Sequence, residues 1–170
     1  MTADRPSGPS AWDAALRLLG VRARSRSEIR ERLQRRGFEA AEIDSVLTRL
    51  TEAGLLDDAE FAHEWVQSRH RHSGRGRLAL RRELRGKGVD EETVTQALAA
   101  IEPDDERENA LVLARRKLAR SRLDPADYEQ RAKAYRQLAG LLGRRGYPPE
   151  VITSVVGQTL AEAGEHPDRP

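Results

Sequence analysis

Apolar residues recur every three or four positions along most of this chain, and that spacing predicts amphipathic helices. One segment carries Ile43, Val46, Leu47 and Leu50. Another carries Val151, Ile152, Val155, Val156 and Leu160. No stretch shows the sustained alternation of β-branched and polar residues that a strand with one exposed face requires. The pattern therefore predicts an all-α protein in which each helix buries one stripe of side chains.

Glycine, proline and capping residues divide this pattern into nine predicted helices. The predicted spans are about 10–19, 25–36, 40–53, 58–71, 75–87, 91–101, 104–120, 126–145 and 149–163. Ser25 precedes Glu28 by three residues, the spacing of a capping box. Gly20 and Gly37 are predicted to end the first two helices, and Pro149 fits a first helical turn, where its missing N–H costs nothing.

The helices belong to an internal repeat. Three segments align without a gap, and they begin at Leu33, Leu84 and Leu142. Each has glycine at its fifth position: Gly37, Gly88 and Gly146. The offset is 51 residues between the first two segments and 58 between the last two. We interpret the glycines as structural turn residues, since glycine adopts a positive φ at the lowest cost.

The repeat predicts three tandem three-helix units, over 10–55, 56–102 and 103–163, that form an elongated, curved helical array. Residues 1–9 and 164–170 are polar and are predicted to be disordered tails. The alternative architecture is a single compact bundle of six to nine helices, which the repeat disfavours.

Charge is segregated although the net charge is only +2. Basic residues concentrate at 22–36, 69–87 and 115–122, and acidic residues at 57–64, 90–92 and 102–108. Segregation of this kind gives a nearly neutral protein a basic face that attracts polyanions. The plainer interpretation of each cluster is a solvated helix face.

Arginines at helical spacing are the candidate contact residues. Arg77, Arg81 and Arg85 share one face of a predicted helix, and Arg22, Arg26 and Arg30 have the same spacing. Guanidinium groups in rows suit phosphates or carboxylates, which they bind in a bidentate manner. The full predicted contact set is Arg22, Arg26, Arg30, Arg75, Arg77, Arg81, Arg82, Arg85 and Lys87.

Catalytic and metal-binding patterns are missing from the sequence. There is no cysteine, phosphate-binding loop, HExxH motif or serine nucleophile elbow. His63, His70 and His72 are interpreted as solvent-facing, and Trp12 and Trp65 as core anchors rather than base-stacking residues. We expect no enzymatic activity, no cofactor and no metal. The chain also has no long apolar run, so we expect a cytoplasmic protein that spans no membrane.

Several stretches together resemble the RecX family of recombinase regulators. They are ALRLLGVRARSRSEIRERLQRRGF from Ala15, GLLDDAEFAHEWVQSR from Gly54, GRGRLALRRELRGKGV from Gly74 and LLGRRGYPPEVI from Leu141. The resemblance implies tandem three-helix units that bind the RecA nucleoprotein filament. It also implies inhibition of strand exchange, ATP hydrolysis and co-protease activity in DNA repair and the SOS response. No catalytic residue is carried over, and the longer third unit is the point of departure.

Two functional hypotheses fit the sequence. In the first, a monomer modulates a RecA filament, mostly negatively. In the second, the basic face binds single- or double-stranded DNA non-specifically, without a RecA partner. A net charge of only +2 favours a partner that carries both signs of charge. A helical scaffold with no nucleic-acid role is the third possibility.

Overall fold

The computed structural model describes residues 9–165, which form nine α-helices and no strand. The helices are α1 (Ala11–Val21), α2 (Arg26–Gln34), α3 (Ala40–Glu52), α4 (Asp58–Ser73), α5 (Arg77–Gly86), α6 (Glu91–Ala99), α7 (Pro103–Ala119), α8 (Tyr128–Arg145) and α9 (Pro149–Glu165). The all-α prediction is confirmed. Most of the two predicted tails, residues 1–8 and 166–170, lies outside the described residues.

Several helix ends lie one or two residues from their predicted positions, and two helices run past a predicted stop. Gly20 does not end α1, which continues to Val21 and ends where Arg22 adopts an extended backbone. Glycine lowers helix stability by about 1 kcal/mol but does not block the helical conformation. Helix α4 likewise runs to Ser73, and Gly74, at φ 56°, follows it. The spacing of apolar residues predicted the helices well but placed these ends too early.

The three aligned glycines end their helices in the same way. Gly37, Gly88 and Gly146 have φ values of 84°, 71° and 82°. In each turn the following residue, Phe38, Val89 or Tyr147, donates its N–H to the carbonyl five residues earlier. The glycine itself donates to the carbonyl three residues earlier. This pair of bonds is the Schellman motif, so the repeat seen in the sequence is also a repeat of backbone geometry.

The chain divides into two compact units whose boundaries cut through α4, α5 and α6. The N-terminal unit contains the residues up to Glu64 together with Leu84–Val94. Its core is formed by side chains of α1, α2 and α3, including Ile29, Leu33 and Leu47. The C-terminal unit contains Trp65–Glu83 together with the residues from Thr95 onward. Its core joins α7, α8 and α9.

In the N-terminal unit, the start of α2 packs against the glycine turn that follows α5. Ser25 Oγ donates a hydrogen bond to the Lys87 carbonyl at 2.6 Å. The backbone N–H of Arg26 donates to Asp58 Oδ1, in the first turn of α4, at 2.7 Å. Free N–H groups at a helix start need acceptors. Here the second three-helix segment (α4–α6) supplies an acceptor for the first (α1–α3), and the third segment is α7–α9.

In the C-terminal unit, the start of α5 makes the equivalent contacts 51 residues later. Gly76 and Leu78 donate their N–H groups to the carbonyls of Arg145 and Gly146, both at 3.0 Å. The N–H of Arg77 donates to Glu106 Oε1, in α7, at 2.9 Å. Successive three-helix segments are therefore joined by one recurring junction: a helix start against a glycine turn, with a carboxylate from the next segment as a cap.

Candidate functional site

Two predicted contact residues of the N-terminal unit share one carboxylate. Glu28 Oε1 lies 2.8 Å from Arg22 Nη2 and 3.2 Å from Lys87 Nζ. Burial raises the pKa of Glu28. Hydrogen bonds from Arg22, the Ser25 backbone and Lys87 outweigh this, and they lower its pKa to about 2. Glu28 is therefore ionised at neutral pH and holds both cations.

The other predicted cations of this unit also have polar partners. Arg30 Nη1 lies 2.6 Å from Asp44 Oδ1, and Arg85 Nε lies 2.6 Å from Glu91 Oε2. Arg26 Nη1 donates to Thr51 Oγ1 at 3.1 Å. The Arg85 side chain keeps 58% of its surface exposed despite its pair. An exposed pair of this kind is weak, so a stronger anion can take the guanidinium from it.

Glu83 is the centre of a second cluster, in the C-terminal unit. Its carboxylate accepts hydrogen bonds from Trp65 Nε1 at 2.9 Å and from Arg69 Nε at 3.1 Å, and it lies 3.3 Å from Arg75 Nε. Burial raises the pKa of Glu83, but the hydrogen bonds from Arg69 and Trp65 have the larger combined effect. The pKa of Glu83 is therefore lower than its ordinary value. Of the cations here, only Arg75 belongs to the predicted contact set, and it is fixed between α4 and α5.

Arg77 is held by a buried carboxylate. Glu106 is 3% exposed, and its Oε2 lies 3.2 Å from Arg77 Nε. The Arg77 Nη2 also donates to the Ile101 carbonyl. With its backbone N–H on Glu106 as well, this arginine has a structural role at the start of α5.

Arg82 differs from the rest of the predicted set. It is exposed and makes no ion pair with any residue of the described part of the chain, whereas Arg81 is half-buried. At least six of the nine predicted cations are ion-paired within the described part of the chain: Arg22, Arg30, Arg75, Arg77, Arg85 and Lys87. The predicted row of arginines is therefore interleaved with carboxylates, and its role in binding stays a prediction.

The histidines and tryptophans have ordinary structural partners. His70 is buried, contrary to the prediction, and both of its ring nitrogens have partners. Its Nδ1 donates to the Arg75 carbonyl at 2.9 Å, and its Nε2 accepts from Asn109 at 2.8 Å. Trp12 packs against the N-terminal core beneath the Arg49 guanidinium, 4.3 Å from the ring centroid. The part of the chain that the structure describes holds no group of three potential metal ligands.

The chain has no membrane-spanning candidate among its described helices, since none combines the required length and apolar character.

Three family models cover most of the chain. The first three-helix domain of RecX matches residues 11–50, the second matches 57–98 and the third matches 104–156. Each match falls on one of the three-helix segments described above.

Relatives and solved structures agree with these matches. The regulatory protein RecX of Mycolicibacterium smegmatis is 45% identical over 172 residues, which cover 95% of this chain and 91% of that protein. The Mycobacterium avium RecX is 43% identical over 173 residues, with 97% and 98% covered. The crystal structure of RecX from Lactobacillus salivarius superposes with a TM-score of 0.75 at 19% identity, covering 88% of this chain and 94% of that one. The chain is a member of the RecX family of regulatory proteins.

Proposed function

We propose that this protein binds the RecA nucleoprotein filament and limits its activity. The observation that carries the proposal is the match of all three RecX three-helix domains, in order, along the chain. In this role the protein is a non-enzymatic monomer in the cytoplasm. It reduces strand exchange, ATP hydrolysis and co-protease activity during DNA repair and the SOS response, and it needs no cofactor.

The surface chemistry supports a partner with charges of both signs. Arg22 and Arg85 keep 42% and 58% of their side-chain surface exposed while paired with Glu28 and Glu91. A protein surface can accept such a pair as a unit, because it offers carboxylates to the arginine and cations to the glutamate. Contacts by several domains along a repeating filament would add through effective concentration.

DNA binding without RecA is the second candidate function. Arg82, exposed and without an ion pair among the described residues, favours it because its guanidinium needs no displacement of a carboxylate. Non-specific DNA binding of this kind falls steeply as salt rises, because each neutralised phosphate releases counterions.

One titration distinguishes the two candidate functions. RecA-catalysed, single-stranded-DNA-dependent ATP hydrolysis is measured at fixed salt, with DNA in excess, as this protein is added. Inhibition well below the amount that coats the DNA supports action on the filament. Inhibition only near coating supports the DNA binder, and no inhibition at any concentration contradicts the RecA proposal.

The same assay tests the predicted contact set. We expect Arg82→Ala to weaken inhibition by roughly three- to tenfold, the effect of one lost charge-assisted contact. Arg17→Ala is the matched control, since Arg17 is another exposed arginine without an ion pair among the described residues but lies outside the predicted set. Equal inhibition by both variants would remove Arg82 from the contact surface.

A further inference from the structure

The first of the three glycine turns is open where the other two are covered. A Cβ placed on Gly88 would lie 2.3 Å from Ser27 Oγ, and one on Gly146 would lie 2.3 Å from the Ala79 backbone nitrogen. A Cβ on Gly37 would meet no described residue within 4 Å. The three turns share one backbone conformation, so the difference lies in what packs against them.

At both covered turns, the start of a helix packs against the turn. At the Gly88 turn the N-cap hydroxyl of Ser25 donates to the Lys87 carbonyl. At the Gly146 turn the N–H of Gly76 donates to the Arg145 carbonyl. The residue before each glycine therefore offers its carbonyl to the donors that a helix start leaves unpaired.

The side chain before each glycine contributes a second contact. Lys87 Nζ lies 3.2 Å from Glu28, the third residue after the Ser25 cap. Arg145 donates through Nη1 to the Ser73 carbonyl. Arg36 occupies the same position before Gly37, and its exposed guanidinium bonds to no residue that the structure describes. The first turn thus carries both contact groups, a carbonyl and a cation, on an open surface.

Two helix starts within this chain that fit such a turn are already in use. Ser25 and Gly76 each cover one turn, and the equivalent position in the third segment is Ala134. Ala134 is buried inside α8, well past the first turn, so its own backbone N–H is used by the helix. Among the described helices, the start of α1 has the same residue types, but its Ser10 hydroxyl donates to Asp13 Oδ2 at 2.7 Å and so is not free to donate to a turn carbonyl.

We propose that Arg36 and the Gly37 turn bind the N-terminus of a helix from another protein, one with serine or glycine at its N-cap and a carboxylate in its first turn. The small N-cap residue permits the close approach seen at Gly76, where a Cβ would lie 2.5 Å from the Gly146 oxygen. The carboxylate pairs with Arg36 as Glu28 pairs with Lys87. This site goes beyond the RecA proposal, because it specifies the docked element and not the protein that carries it.

A peptide with the sequence of residues 21–34 is a suitable probe, because it contains the Ser25 cap and Glu28. It is titrated into the isotope-labelled full chain while amide shifts are followed by NMR. We expect saturable shifts at Arg36, Gly37 and Phe38, with a dissociation constant on the order of 1 mM, since a short peptide must also order its helix. A Ser25→Val peptide of the same charge should bind at least about tenfold more weakly.

Two variants of the protein locate the site. Gly37→Asn keeps the positive φ, which asparagine tolerates, and fills the open space, so it should weaken peptide binding at least about tenfold. Gly54→Asn is the matched control, because Gly54 has φ 68° and equally open surroundings among the described residues. It should bind the peptide like the unchanged chain.

Four outcomes of these titrations would overturn the proposal. They are equal binding by the Ser25→Val peptide, unchanged binding by Gly37→Asn, shifts confined to residues away from the turn, and no saturable shift at all. A chain that begins at residue 9 is tested alongside. If it alone binds the peptide, the occupant of the turn is this chain's own N-terminal segment, and the proposal is likewise wrong. Dimers of the unchanged chain that Gly37→Asn abolishes would mean that a second copy occupies the turn, and would also overturn the proposal.

Discussion

At the scale of single residues, three glutamates organise the basic residues of this protein. Glu28 holds Arg22 and Lys87, Glu83 holds Arg75, and Glu106 holds Arg77. A carboxylate that pairs with an arginine fixes its position and offsets its electrostatic potential at a distance. These residues therefore attract distant anions less than their number suggests.

Glu28 should make stability depend on acid pH. Its pKa is about 2 in the folded chain, against an ordinary value of 4.5. Its stabilising contribution is therefore fully present above about pH 4.5 and is lost as the pH falls towards 2. We expect Glu28→Gln to lower the free energy of unfolding by roughly 2 kcal/mol at pH 7 and by almost nothing near pH 2.

Urea unfolding of both proteins between pH 2 and pH 7 measures this difference. A gap between them that stays constant with pH would mean that the carboxylate charge is not what stabilises the fold.

Glu106 should contribute far more than an exposed glutamate of the same type. Glu106→Gln removes the charge that compensates the half-buried Arg77, and we expect a loss of about 3 kcal/mol. Glu162→Gln is the control, because the Glu162–Arg115 pair at 3.0 Å is exposed on both sides and should contribute less than about 1 kcal/mol. Thermal or urea unfolding of the two variants gives the comparison, and losses of equal size would contradict the buried role of Glu106.

At the scale of helices and turns, the glycine that recurs in the three aligned turns has two separable roles. All three turn glycines satisfy the backbone conformation, but only Gly88 and Gly146 also permit close packing of a helix start. A substitution at Gly37 thus isolates the conformational role.

Alanine at Gly37 and at Gly146 should therefore have different effects. The two φ values, 84° and 82°, are nearly equal, so the conformational cost of about 1–2 kcal/mol is shared. At Gly146 the new Cβ also meets the Ala79 backbone, which should add roughly 2 kcal/mol or more. Chemical unfolding of both variants tests this, and an equal loss at the two sites would mean that the Gly146 junction yields without cost.

The helices and turns could be predicted from the sequence because their signals are local. Apolar spacing, the Ser25–Glu28 capping box and the aligned glycines each act within a few residues. The partners of the arginines could not be predicted in this way. Lys87 and Glu28 are 59 residues apart, and Arg77 and Glu106 are 29 apart. Only the fold brings these charges together, so the sequence alone did not show that most of the predicted basic residues are ion-paired.

At the scale of the whole molecule, 28 acidic side chains balance 30 basic ones to give a net charge of +2, and several of these opposite charges form ion pairs. Removing one carboxylate should therefore release a cation for binding. We expect Glu91→Gln to free Arg85, tighten DNA or filament binding about two- to fivefold, and steepen its salt dependence.

Glu31→Gln changes the net charge equally but frees Arg35, which lies outside the predicted contact set. It serves as the control in salt-dependent binding titrations. The same gain in affinity for both variants would show that bulk charge, and not the position of Arg85, governs binding.

The recurring junction also gives the chain a direction. The first three-helix segment supplies a helix start to the second, and the second supplies one to the third. The third segment supplies none, because α8 is uninterrupted at the equivalent position. A duplicated segment fused ahead of α1 would find an acceptor turn already in place, whereas one fused behind α9 would find no helix start to pack against its own turn. Growth by duplication, in evolution or in design, is therefore expected at only one end of this architecture.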